Sequence, residues 1–408
     1  MKLQESVSEP VLASEPEMVV AEPAAPFAAV ASRVPSRRLD FLRGAAAFYV
    51  LIGHARGHLF AGGSVIAASR ELSWYDMVML GLLQTTSMGT EAVILFFVMS
   101  GFAMAHSFSR SESAITFYKK RAVRIWPPYL VAVLLAFVIA AIILRSTVPN
   151  GVTAQVGQTP WGWLQALAMV FYMKVDTELT AQFWSLPQEV MFYLLCPILL
   201  ASRNRIIVFF GVSILLTFVG ALVVGVYDNP TVGGGVIYRH FFTLLIFFMS
   251  GALAYHFQQY IPTMGGRALL IIFCLSFVGI WFVKYQLFAG WNLVSSLLTA
   301  PLALLLIMNV PASLYDRKIL NWGHFSYSLY IVHMQLIVLV SFLLARGWGL
   351  EQPQMTNYWA WLLVVPPVMF LGWIFYLLTE KNCNGILGMI RDRERRARHS
   401  TISEPVFH

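Results

Sequence analysis

The first candidate for chemistry is His54, which lies in an apolar stretch eleven residues after Arg43. In a helix this separation corresponds to roughly 16 Å, so the imidazole is expected well inside a membrane whose surface lies near Arg43. Imidazole is the side chain best suited to take up and return a proton near neutral pH. His54 is therefore a candidate catalytic base, although a hydrogen-bonded core histidine fits the same spacing.

The second candidate is the basic segment FYKKRAVRIWPPYL, in which Arg121 and Arg124 are three residues apart and so share one helical face. Two guanidinium groups so placed can bind phosphate in a bidentate way, as a nucleotide-bearing donor such as coenzyme A requires. The same pair also fits a simple anchor at the cytoplasmic surface of a membrane helix.

Further polar side chains interrupt apolar stretches later in the chain. Glu189 lies five residues into the stretch that begins near Trp184, Tyr330 and His333 are one helical turn apart, and Glu380 ends the last apolar stretch. Such groups are costly inside a membrane, so each is expected to be paired, to face water or to take part in function. A buried salt bridge explains Glu189 as well as a proton shuttle does, and a hydrogen-bonded seam between helices explains the others.

The composition indicates which elements must position these side chains. Of the 408 residues, 58% are hydrophobic and 12% are charged, and apolar runs of membrane-spanning length recur along the chain. A soluble fold could not hide that much apolar surface. The sequence therefore predicts an all-α, polytopic transmembrane bundle of about ten spans. They are expected near residues 41–59, 89–107, 128–144, 184–200, 206–226, 241–258, 268–286, 292–310, 325–345 and 359–379.

The distribution of positive charge gives an orientation. If both termini lie in the cytoplasm, about three quarters of the 28 Lys and Arg residues fall on the cytoplasmic side. The formal charge of +8 sits in short clusters between apolar runs, which indicates membrane topology and not a nucleic-acid partner. We expect a disordered cytoplasmic tail at 1–36, a transmembrane domain at 37–382 and a basic cytoplasmic tail at 383–408.

Several segments together resemble the acyltransferase-3 family of bacterial membrane O-acyltransferases. Their order and spread cover about residues 37–382. The matching pieces are RRLDFLRGAAAFYVLIGH, LFFVMSGF, FYKKRAVRIWPPY, FWSLPQEVMFY, SYSLYIVH and the terminal Glu380.

The resemblance implies an enzyme of the bacterial inner membrane that takes an acyl group, most often acetyl, from cytoplasmic acyl-coenzyme A. The acceptor would be a hydroxyl group of a cell-surface or lipid-linked carbohydrate, and no metal would be needed. By correspondence with the family motifs, the catalytic residues would be His54, Glu189 and Arg43. The donor would be held by Arg121 and Arg124. Supporting or substrate-binding positions would be Trp184, Tyr330, His333, Glu380 and Glu91.

One position departs from the family pattern. The family commonly has an acidic residue two positions before the Phe-Phe of the segment ending in SGF, and here that residue is Ile94. Glu91 lies three residues earlier on the same helical face and is the candidate to replace it beside His54.

A rival interpretation is a proton-coupled transporter or flippase of a sugar-containing or lipid substrate. Buried His, Glu and Arg side chains in a multi-span bundle mark substrate pathways in transporters too. No convincing internal repeat of the kind many transporters have is present, which favours the enzyme. The sequence identifies neither the acceptor glycan nor the oligomeric state.

Overall fold

The structure is a computed structural model, and only part of the chain is described from it. Both expected tails, 1–36 and 383–408, lie mostly outside that part and stay predictions. The described residues are 33–108, 114–146, 163–164, 166–167, 178–223, 233–287, 292–317, 322–350, 352–383 and 385–389.

Throughout the described ranges the regular structure is helical, and β structure amounts to one isolated bridge between Phe60 and Gln354. The predicted all-α class is confirmed. The α-helices are α1 (Ser36–Leu59), α2 (Gly63–Ser69), α3 (Trp74–Gln84), α4 (Gly89–Phe108), α5 (Ala114–Leu144), α6 (Leu186–Leu199), α7 (Arg203–Val223), α8 (Gly233–Phe257), α9 (Gly266–Phe282), α10 (Asn292–Asn309), α11 (Ala312–Tyr315), α12 (Ser326–Trp348) and α13 (Ala360–Leu378).

Six stretches among the described residues are long and apolar enough to cross a membrane. The chain is therefore a multi-pass helical membrane protein. The six stretches are Trp74–Phe108, Ile115–Leu144, Phe241–Tyr260, Gly266–Gln286, Gly323–Trp348 and Ala360–Met389.

Several of the other predicted spans correspond to helices that are not among these six. The span expected near 41–59 is α1, whose first two turns carry Arg37, Arg38, Asp40 and Arg43. The span expected near 184–200 includes α6, which has 14 residues where about 20 are needed to cross the hydrocarbon core. The count of ten spans and the cytoplasmic placement of both termini stay predictions.

The arginines of the basic segment lie on a longer helix than the sequence suggested. Although a span was expected to begin at Pro128, α5 continues through both Pro127 and Pro128 from Ala114 to Leu144. Arg121 and Arg124 therefore belong to the same helix as the apolar span, and their positions are fixed relative to it.

The helices differ sharply in how much they contact one another. The central helix α12 is buried over most of its length, whereas α9 exposes Leu270, Leu275 and Val278 by 61%, 69% and 63%. In a membrane protein an apolar exposed face of this kind is a lipid-facing surface. The polar residues of α12 are consequently inside the bundle, where they need partners.

Two glycines allow α4 and α8 to cross at very short distance. A Cβ atom added to Gly101 would lie 1.7 Å from the carbonyl oxygen of Phe248, and one added to Gly251 would lie 1.9 Å from that of Val98. Small residues permit this close approach in membrane bundles. The crossing fixes α4, which contributes side chains to both cavities described below.

A similar contact fixes α1 against the 3-10 turn Gly323–Phe325 that precedes α12. A Cβ atom on Gly323 would lie 1.9 Å from the carbonyl oxygen of Asp40, and one on Gly44 would lie 2.7 Å from the amide nitrogen of Gly323. Arg43 and His54 on α1 are thereby held in register with Tyr330 and His333 on α12.

A polar cluster ties the loop after α2 to the start of α3 and to the loop before α13. Both terminal nitrogens of Arg70 donate to the Asp76 carboxylate, at 2.7 and 2.5 Å, and the Tyr358 hydroxyl donates to it at 2.9 Å. Ser73 and Asp76 form a capping box that begins α3. Hydrogen bonding to Asp76 raises the pKa of the Arg70 guanidinium above its ordinary value.

Candidate active site

Three arginines from two helices line one cavity, which we call the arginine cavity. Arg43 comes from α1, and Arg121 and Arg124 come from α5. The cavity has about 840 Å³ of empty space, including the part that opens outward, and Glu189 of α6 also lines it. The sequence-predicted residues Arg43, Arg121, Arg124 and Glu189 are thus brought together.

The position of Arg121 is held mainly by aromatic faces. Its guanidinium carbon lies 5.5 Å from the ring centre of Phe117 and 5.6 Å from that of Tyr193, and one terminal nitrogen donates to Ser107 Oγ at 3.3 Å. Within the described part of the chain, its buried Nε has no hydrogen-bond partner. Arg121 therefore keeps donor capacity for a further acceptor.

Glu189 is bound to hydroxyl groups. It accepts hydrogen bonds from Tyr193 Oη and from Ser100 Oγ, the latter at 3.4 Å. The arginine cavity is thus lined by three guanidinium groups and one carboxylate. Arg43 also pairs with Asp40 at 3.4 Å, and the remaining excess of positive charge favours an anionic ligand.

His54 lies in a second cavity, which we call the histidine cavity. It has about 590 Å³ of empty space and is also lined by Trp184, Arg56, Thr86, Ser87 and Thr90. Two of the sequence-predicted residues, Trp184 and His54, therefore line the same cavity, which is not the one that contains Arg121 and Arg124.

Val93 and Tyr330 line both cavities and form the wall between them. The Tyr330 hydroxyl is hydrogen bonded to Ser185 Oγ at 2.7 Å, and its ring packs edge-on against Phe96 with centroids 5.6 Å apart. A group that moves from the arginine cavity to His54 has to pass this wall.

His54 is hydrogen bonded to His333 of α12. His54 Nδ1 lies 2.8 Å from His333 Nε2, and His333 Nδ1 lies 2.7 Å from the carbonyl oxygen of Tyr330. The two imidazole rings are stacked with centroids 5.0 Å apart. Two sequence-predicted residues from opposite ends of the chain thus form one unit.

Glu91 lies elsewhere than the sequence suggested. Instead of assisting His54, its carboxylate accepts hydrogen bonds from Lys284 Nζ at 2.8 and 3.0 Å and from Ser295 Oγ at 2.8 Å. Glu91 and Lys284 are 5% and 8% exposed, so this is a buried ion pair. It joins α4 to the π-helical turn after α9 and to α10.

Glu380 is a helix-capping residue in this structure. Its carboxylate accepts hydrogen bonds from the backbone amide of Ser328 at 3.2 Å and from Ser328 Oγ at 2.7 Å. A carboxylate that contacts the first turn of a helix from another segment satisfies a free amide and complements the helix dipole. Glu380 thereby fixes the helix that carries Tyr330 and His333.

Sequence reasoning missed the roles of Ser185 and Lys284. Lys284 had a detectable signal, because it is a charged residue inside a predicted span and therefore requires a partner. Ser185 had none, since a serine beside Trp184 is unremarkable without its neighbour Tyr330.

This arrangement combines an arginine-lined cavity with an imidazole pair on the other side of a thin wall, in which His333 is buried and His54 is half-buried. Such a combination can hold a phosphate-bearing molecule and transfer protons at a nearby hydroxyl group. Among the residues that the structure describes, no group of three or more His, Cys, Asp and Glu side chains could hold a metal ion.

Comparison with known proteins gives a match over most of the chain. The family model described as "Acyltransferase domain" (acyltransferase 3) matches residues 36–377. A 122-residue segment is 34% identical to a protein named acyltransferase MdmB from Streptomyces mycarofaciens. That segment covers 29% of this chain and 30% of the relative's length. No solved structure matches the chain significantly.

Proposed function

We propose that this chain, which belongs to the acyltransferase-3 family and is an acyltransferase, moves an acetyl group from cytoplasmic acetyl-coenzyme A to a carbohydrate hydroxyl group. The acceptor carbohydrate is lipid-linked or at the cell surface, and the protein lies in the bacterial inner membrane. The observation that carries this proposal is the pairing of a three-arginine cavity with a histidine cavity across one shared wall.

The arginine cavity is the donor site in this proposal. Coenzyme A carries several phosphate groups, and guanidinium binds phosphate through paired, charge-assisted hydrogen bonds. Arg121 supports this role with its buried Nε, which has no partner among the residues described. Arg124 and Arg43 line the same space, while Glu189 orients Tyr193 and Ser100 at its edge.

The histidine cavity is the acceptor site. Trp184 offers an aromatic face on which a sugar ring can lie, and Thr86, Ser87 and Thr90 offer hydroxyl groups to hold sugar hydroxyls. A cavity with an aromatic face, several hydroxyl groups and the guanidinium of Arg56 suits a polyol better than a lipid chain.

The transfer itself needs one base. His54 takes the proton of the acceptor hydroxyl as its oxygen bonds to the thioester carbonyl carbon. The carbon–sulfur bond then breaks, and His54 returns the proton to the leaving thiolate. The products are the acetyl ester and free coenzyme A. Separation of the thioester from bulk water by the helical bundle limits its hydrolysis.

The experiment is acetyl-coenzyme A binding and turnover by the purified protein in nanodiscs. The variants are His54→Ala and the double variant Arg121→Ala/Arg124→Ala. Matched controls are His58→Ala, one turn further along α1, and Arg267→Ala, an exposed arginine at the start of α9. We expect the first variant to lose turnover, the second to lose donor affinity, and both controls to behave as wild type.

One outcome would contradict the donor assignment. If folded wild-type protein neither binds nor turns over any acyl-coenzyme A, while a proton gradient drives solute movement in vesicles, the donor assignment is wrong. The transporter interpretation would then take its place.

A further inference from the structure

We propose that His333 is the positioning residue of the reaction: it holds His54 in the tautomer whose Nε2 carries the lone pair. This inference rests on the proposed role of His54 as the base. It deepens that role by stating which nitrogen acts and what selects it.

The hydrogen-bond chain begins at a backbone carbonyl, which can only accept. His333 Nδ1 lies 2.7 Å from the Tyr330 carbonyl oxygen, so Nδ1 of His333 must carry a hydrogen. In the neutral ring its Nε2 then has a lone pair and can only accept.

The same reasoning determines which nitrogen of His54 carries the hydrogen. Because His333 Nε2 is an acceptor and His54 Nδ1 lies 2.8 Å from it, His54 Nδ1 must donate a hydrogen. The lone pair of neutral His54 is therefore on Nε2. A base that acts through Nε2 needs this arrangement before the acceptor hydroxyl arrives.

Burial keeps His333 neutral, and a neutral His333 fixes the direction of both hydrogen bonds. His333 is 1% exposed, and among the described residues no carboxylate forms an ion pair with it. An unpaired cation at this depth is strongly disfavoured.

His333 is hydrogen bonded to His54, a role for which the sequence suggested an acidic residue. Ile94 stands at the expected acidic position and Glu91 is bound to Lys284. When His54 takes the acceptor proton on Nε2, the Nδ1 hydrogen remains directed at His333 Nε2. A neutral imidazole here orients the base without placing a fixed negative charge next to it.

The test compares two substitutions that separate hydrogen bonding from packing. Gln places an acceptor near the position of Nε2, so His333→Gln keeps an acceptor for His54, whereas His333→Phe keeps a ring and removes the acceptor. We expect His333→Phe to lower kcat by about 100-fold, with KM for acetyl-coenzyme A unchanged. We expect His333→Gln to stay within about tenfold of wild type. If His333→Phe is at least as active as His333→Gln, the proposal is wrong.

A spectroscopic measurement tests the tautomer without any turnover. In wild-type protein labelled with ¹⁵N-histidine, the signals lost in His54→Ala belong to His54. We expect its Nδ1 to be protonated and its Nε2 to be unprotonated, and a proton on Nε2 would overturn the proposal. If the wild type shows this tautomer but no acyl-coenzyme A turnover, the proposed function fails while the positioning by His333 stands.

Discussion

The arginine cavity and the histidine cavity share Val93 and Tyr330, yet they are built on different electrostatic principles. The first is lined by three arginines and Glu189, and one of these arginines, Arg43, pairs with Asp40 at 3.4 Å. The second has one arginine, Arg56, beside an imidazole that is hydrogen bonded to another imidazole. Fixed charge suits a ligand that is already ionic, and a neutral, orientable base suits a proton that has to move twice. In the proposed function, donor binding and proton transfer are therefore separated by a single layer of side chains.

The largest effect is expected from removing the base. His54→Ala should lower kcat by about 10³-fold, within the usual contribution of general base catalysis, and leave the Kd for acetyl-coenzyme A unchanged. Steady-state kinetics and calorimetric donor binding would measure the two quantities. A matching loss of donor affinity would mean that the two cavities do not act separately.

Removing the arginine pair is expected to have a smaller effect, and on donor affinity instead of kcat. Arg121→Ala/Arg124→Ala should weaken acetyl-coenzyme A binding by about 100-fold, as expected for two lost charge-assisted contacts of about 1.5 kcal/mol each. At saturating donor, kcat should remain within a few-fold of wild type. The dependence of rate on donor concentration would show a raised KM, and a lowered kcat with unchanged KM would contradict the donor assignment.

Widening the helix crossing should affect both cavities together. In Gly251→Ala the new methyl group meets the Val98 carbonyl, so α8 must shift relative to α4 at a cost of about 1 to 3 kcal/mol. Thermal unfolding in detergent would show a lowered midpoint, and donor affinity and kcat should both fall. Gly211→Ala on α7, where an added Cβ meets nothing within 4 Å, is the control.

The smallest effect is expected at the shared wall. Tyr330→Phe keeps the ring against Phe96 and removes only the hydrogen bond to Ser185, which contributes about 1 kcal/mol. We expect donor affinity to stay the same. The ratio of acetyl transfer to thioester hydrolysis should change by less than about tenfold. A complete loss of transfer would indicate that the hydroxyl itself touches the reacting atoms.

Sequence reasoning identified the candidate residues because each one is out of place in an apolar helix. Type, spacing and family resemblance identified His54, Arg43, Arg121 and Glu189. In the structure His54 lines the histidine cavity, and the other three line the arginine cavity. The helical class followed from composition and from the recurring apolar runs. These properties are local in the chain, so the sequence carries them directly.

The pairings could not be predicted in the same way. His54 and His333 are 279 residues apart, and no periodicity links positions on different helices. The partner of Glu91 was missed for the same reason, and that carboxylate was assigned to the wrong neighbour. Helix continuity through Pro127 and Pro128 was also missed, because tertiary packing can override the local preference against proline.

The buried pair of Glu91 and Lys284 has a consequence for how the protein is made. The two residues are 193 positions apart, so at about 5 to 20 residues per second Glu91 is synthesised about 10 to 40 seconds before its partner. During that interval α4 has no counter-ion for its carboxylate and cannot settle finally among its neighbours. The final packing of α4 therefore follows the synthesis of Lys284, so the later part of the chain completes the folding of the earlier part.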